Sequence, residues 1–93
     1  MSSPQRLEAL GQLEEKKQQA IALSVEIHGL REQINRATAA HRPVSDVPLE
    51  ELTIQMTKWQ EKVAEHRQLC DEIRTLAEDL NIPMPNTDVR KRR

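Results

Sequence analysis

Aromatic residues are almost missing from this 93-residue chain: there is one tryptophan, Trp59, and no phenylalanine or tyrosine. A small domain with one compact core ordinarily fills its centre with several large aromatics. Here leucine, isoleucine, valine and alanine must do so, against a background of Glu, Gln, Lys and Arg. That is the composition of long helices and coiled coils rather than of sheets. Glycine is scarce as well, with two residues. Neither a glycine-rich phosphate loop nor a Gly-x-Ser-x-Gly elbow can be traced. A single cysteine, Cys70, excludes an internal disulfide and fits a reducing compartment. No apolar run approaches the roughly 18–20 residues needed to span a bilayer. The N-terminus has no signal-peptide segment. The expectation is a soluble, cytoplasmic protein with no membrane partner and no cofactor.

Charge of one sign is not in excess overall, since the formal net charge is −1. No strong global field therefore draws the chain toward nucleic acid or membrane. The distribution is uneven. Residues 48–81 carry eight acids and four bases, whereas residues 82–93 carry one acid and four bases. An acidic helix is followed by a basic tail.

What is present is organised by proline. Ser3-Pro4 opens a helix, with Ser3 as a cap and Pro4 where a missing N–H does no harm. No further proline occurs until Pro43, so helix 1 is read as about 4–40. Pro43 and Pro48 cannot both sit inside one continuous helix, which makes 41–47 a loop. Ser45 or Asp46 is the expected cap of helix 2, about 48–80, with Glu50 and Glu51 facing its dipole. Asn81-Ile82-Pro83 suits a Schellman stop. A loop this short makes the helices antiparallel neighbours. The fold class is all-α, an antiparallel coiled-coil hairpin over residues 1–82, with 83–93 a flexible basic tail.

The second helix carries a five-heptad seam. Its a positions are Leu49, Met56, Val63, Cys70 and Ala77, and its d positions are Leu52, Trp59, His66, Ile73 and Leu80. Helix 1 is less regular, with Leu13, Ala20, Ile27 and Ile34 at a, Ala9, Leu23, Leu30 and Ala37 at d, and Lys16 interrupting at a d position. A fold centre near residue 44 sets Ile27 opposite residues near 61 and Leu13 opposite residues near 75. A second apolar stripe, Leu7, Leu10, Ile21 and Val25, lies to one side of that seam, and Leu69 and Leu76 widen the seam of helix 2. Two helices share one mutual interface, so extra stripes in the half distal to the loop predict dimerisation into a four-helix bundle.

Sites of chemistry are weighed against packing. Ser24, His28 and Glu32 follow one another at helical spacing, but a nucleophile there lacks an oxyanion pocket. His66 and Cys70 can form half a metal site, yet both are consecutive seam positions, so packing accounts for them and no metal is expected. If His66 is buried, its charged form is disfavoured, and protonation around pH 6 would loosen the bundle. Trp59 is a core residue or, if exposed, a partner anchor. The terminal Arg90, Lys91, Arg92 and Arg93 suit a solvated tail, a phosphate contact or an address signal.

The function expected is that of a non-catalytic protein–protein interaction module or small regulatory adaptor, self-associating and meeting an unidentified protein. One alternative is a nucleic-acid-associated dimer using the basic tails, although no aromatic is available there to stack on bases. Another is a structural subunit of a larger coiled-coil assembly.

Overall fold

The computed structural model describes residues 3–89. Helix α1 spans Ser3–Ala37 and α2 spans Leu49–Leu80. They pack against each other as an antiparallel hairpin, and the described residues form no strand. Three cross-helix contacts fix the register. Lys16 Nζ meets Glu72 Oε2 at 2.9 Å, Lys62 Nζ meets Glu26 Oε2 at 3.0 Å, and Gln55 Nε2 donates to Gln33 Oε1 at 3.2 Å. Each pair is centred on residue 44, the fold centre read from the sequence. The open end is tied as well: Arg6 Nη1 donates to the Leu80 carbonyl at 3.1 Å. A guanidinium suits the unpaired carbonyls of a helix C-terminus.

The turn differs from expectation in detail. Helix α1 stops at Ala37, three residues early. The Thr38 hydroxyl donates to the Ile34 carbonyl at 2.8 Å, where the Thr38 N–H also lands. Such local bonding competes with helix propagation. Ser45 and Asp46 do not cap α2. They lie with Val44 in a 3₁₀ turn, closed by Asp46 N–H to the Pro43 carbonyl at 2.9 Å. Pro48 occupies the position before α2, with no side-chain cap, and its carbonyl accepts from Leu52 N–H. The α2 stop follows the sequence closely. Asn81 is left-handed at φ 57° and ψ 46°, Asn81 N–H reaches the Glu78 carbonyl, and Ile82 N–H reaches the Ala77 carbonyl. Those two bonds are the Schellman pattern.

Most of the burial lies between the middle and the open end, with Ala37 buried beside the loop. Leu13, Ala20, Ile73 and Leu80 form the core, with Ala9, Leu69, Leu76 and Ile82 packed around it. Along the a positions of α2, exposure rises toward the loop: Ala77 2%, Met56 41%, Leu49 68%. A straight α-helix drifts about 20° per heptad against a 3.5-residue repeat. A seam that faces its neighbour at Ala77 has thus turned by roughly 80° at Leu49. The five heptads are real in sequence, but their loop-side members face outward. Surplus apolar surface accordingly lies at both ends, with Val44, Leu49, Ile54 and Met56 exposed near the loop and Leu7, Leu10 and Val25 exposed on α1.

The largest departure is in the tail. Residues 83–89 do not run free from the hairpin. After the reversal at Asn81 they return along the groove between the helices, toward the loop, and Val89 N–H donates to Ser24 Oγ at 3.0 Å. The cause lies in the sequence. The left-handed Asn81 turns the chain, Ile82 anchors it on the core, and Pro83 and Pro85 keep it extended and poor in alternative conformations. Asn86 then folds Asp88 back, accepting from its N–H and donating to its carbonyl at 2.7 Å.

Candidate functional site: the tail groove

Four side chains from the two helices converge on Thr87, Asp88 and Val89. From α1 come Ser24 and His28, one turn apart. From α2 come His66 and Cys70, also one turn apart. Ser24 is buried; its hydroxyl donates to the Ile21 carbonyl at 2.7 Å and accepts from Val89 N–H. His28 Nε2 lies 3.0 Å from Asp88 Oδ1. His66 Nε2 lies 2.7 Å from the Thr87 carbonyl oxygen. A carbonyl only accepts, so Nε2 carries the proton and Nδ1 of a neutral ring is an acceptor. That Nδ1 faces Cys70 Sγ at 3.6 Å, and Sγ lies 3.4 Å from Thr87 Oγ1. Both thiol contacts are within reach of a weak S–H donor.

Asp88 is the charged centre of the cluster. Burial pushes its carboxyl upward, but this is outweighed. The hydrogen bond and charge of His28, the Val89 N–H and the charge of His66 together hold it below its ordinary value of 3.8. Arg67 lines the same cavity, with Ile27 and Val63 as its apolar wall.

The sequence-expected residues fall into three groups. Val63, His66, Cys70, Ile73, Ala77 and Leu80 face the neighbouring helix or the groove; Leu52 and Trp59 are half-buried, and Leu49 and Met56 are exposed. Of the stripe residues, Leu7, Leu10 and Val25 are exposed and Ile21 is half-buried, whereas Leu69 and Leu76 pack on the core. Arg90, Lys91, Arg92 and Arg93 lie outside the described residues. Lys16, which interrupts the helix 1 pattern, is answered by Glu72. Lys62 is held above its ordinary 10.5, chiefly by its hydrogen bond and then its attraction to Glu26.

His66 is not a lone polar intrusion in an apolar seam, because Thr87 supplies its partner. Ser24 and His28 do not form a hydroxyl–imidazole pair; one binds Val89 and the other Asp88. Sequence reasoning missed that two one-turn rows, Ser24/His28 and His66/Cys70, face a common groove. The signal was available in the fold centre near 44, which brings the two rows to nearly the same level. Among the described residues no group of three or more His, Cys, Asp or Glu side chains could hold a metal ion. Nor is any helix there long and apolar enough to cross a membrane.

A second feature stands nearer the loop. Trp59, with Arg31, Ile34, Asn35 and Met56, lines a shallow pocket. The indole Nε1 and the Gln55 Oε1 one turn away are buried without hydrogen-bond partners. A buried donor left unpaired costs roughly 1–3 kcal/mol.

The class these features define is an antiparallel α-helical hairpin whose groove holds an extended C-terminal segment. No protein-family model matches the chain, and no curated protein or solved structure matches it.

Proposed function

We infer that the protein is a non-catalytic interaction module that works by self-association, two hairpins pairing into a four-helix bundle. One observation carries the reading: α1 has a second apolar face, with Leu7, Leu10 and Val25 exposed and Ile21 half-covered. An amphipathic helix buries one stripe against its neighbour. A second stripe on the same helix is stabilised only by another surface. The thinness of the hairpin supports the same reading. It measures 63 × 28 × 15 Å between Cα atoms, about one helix and one extended segment deep. Pairing would double the layers and enlarge the small core that the two helices share. The half-closed Trp59 pocket near the loop then remains for a protein partner, with an unpaired indole N–H to satisfy.

Sedimentation equilibrium tests the reading. A dimer at tens of micromolar that reverts to monomer on Leu7→Glu/Val25→Glu substitution is the expected result. A clean monomer near 10.7 kDa for the unaltered chain removes the proposal.

A further inference from the structure

We propose that the groove between the helices is a binding site for an acidic peptide segment of a partner protein, and that residues 83–89 occupy it as a resident plug. The occupant it fits is an Asn-x-Asp bend. The docked tail displays the recognition chemistry. His66 donates to the Thr87 carbonyl, and Ser24 accepts from Val89 N–H. Both contacts go to backbone, so they hold a segment whatever its side chains. The Cys70 thiol adds a weak contact to Thr87 Oγ1 at 3.4 Å. The stronger selection is at Asp88, whose carboxylate lies 3.0 Å from His28 Nε2. Asn86 presets the bend, since its side chain bonds both the N–H and the carbonyl of Asp88. His28 and His66 serve as hydrogen-bond donors, and the site requires no charge on either. The permanent cation is Arg67, which lines the same cavity as Asp88 and supplies the charge complement to an acidic occupant.

The plug fits the groove without filling it. Met84, Asp88 and Val89 remain exposed on its outer side. Beside Asp88 a cavity of about 180 Å³ stays open, with Ile27 and Val63 as its apolar wall. The described tail residues make the polar contacts and leave that wall uncovered. A partner segment that repeats those contacts and lays an apolar side chain on Ile27 and Val63 binds more tightly than the plug. The plug can leave without unmaking the hairpin. Ile82 packs on the core of Leu13, Ala20, Ile73 and Leu80, and residues 83–89 lie beyond that anchor. Every contact of the site comes from one hairpin, so the groove stands whether or not two hairpins pair.

The probe is a fluorescent, end-blocked peptide with the sequence of residues 83–89, titrated at pH 7.5 against the full chain and read by anisotropy. In the unaltered chain the tethered tail competes at an effective concentration on the order of millimolar, so the peptide binds weakly. Asp88→Lys in the full chain disables the plug and leaves the groove intact. Peptide affinity is expected to rise roughly three- to tenfold as the groove empties. The same peptide with lysine in place of its aspartate should lose that gain. Backbone ¹⁵N shifts of the Asp88→Lys chain should move at Ser24, Ile27, Val63 and Arg67 when the peptide is added. Three results overturn the proposal: no binding to the Asp88→Lys chain at about 1 mM peptide, equal affinity for the two chains or the two peptides, or shifts centred away from the groove.

Discussion

The Nε2 of His66 sits 2.7 Å from the carbonyl oxygen of Thr87, a residue 21 positions further along the chain. A d position of the coiled-coil seam is thereby spent on holding the tail. His66→Leu separates the two roles. An apolar d residue should leave the melting temperature of the hairpin unchanged or higher. The same change removes the donor to Thr87, so the tail amides should become mobile. Circular dichroism melting and heteronuclear NOEs read the two effects independently.

Asp88 makes tail docking sensitive to acid. Its carboxyl is held below 3.8 when docked, so its contribution to docking is present above that value and lost as the pH falls through the lowered one. A titration of the Val89 amide shift should show docking weaken below about pH 4, with α-helical ellipticity retained.

Core and surface isoleucines should differ sharply. Ile73 is 0% exposed and Ile54 is 58% exposed on the same helix. Ile73→Ala is expected to cost about 2–5 kcal/mol. Ile54→Ala should stay within about 0.5 kcal/mol. Urea denaturation of the two variants, below the concentration at which chains associate, provides the comparison.

Register can be tested by charge reversal. Lys16→Glu places two carboxylates together beside Glu72, and Lys16→Glu with Glu72→Lys restores an opposite-charge pair. The double variant should recover roughly 0.2–1 kcal/mol relative to the sum of the singles. No coupling would mean the helices do not meet with residue 44 at the centre.

Asn81 carries the reversal into the groove at φ 57°. Asn81→Gly should leave stability within about 0.5 kcal/mol. Asn81→Val, β-branched in a left-handed position, should cost about 1–2 kcal/mol and free the tail. Thermal melts with the tail NOEs distinguish these outcomes.

Much of the fold could be read from the sequence because long-period features dictate it. Pro43 and Pro48 broke the helix, the heptads located the seam, and the contact pairs fell symmetrically about residue 44 as anticipated. The Asn81-Ile82 stop was legible because a Schellman turn is local chemistry. The tail was not legible. Its docking depends on four side chains brought together from two helices, and no window of sequence contains them. Ser24 and His28 read as an ordinary polar row until Asp88 and Val89 arrived beside them. The exposure of Leu49 and Met56 was hidden for another reason. A heptad pattern states which residues can face a neighbour, while the number that do so depends on how far the helix supercoils.

The placement of the core has a consequence for how the chain comes together. Leu13, Ala20, Ile73 and Leu80 lie between the middle of the hairpin and the end farthest from the turn that joins the helices. Connectivity favours closing a hairpin from its turn outward, since short loops cost least entropy to close. In this protein the energetic reward waits at the other end. The turn is a weak hinge and the open end a clasp, with the returning tail drawn across it as a third pass of chain. Such a molecule should open first beside its loop, while its middle and open end stay shut.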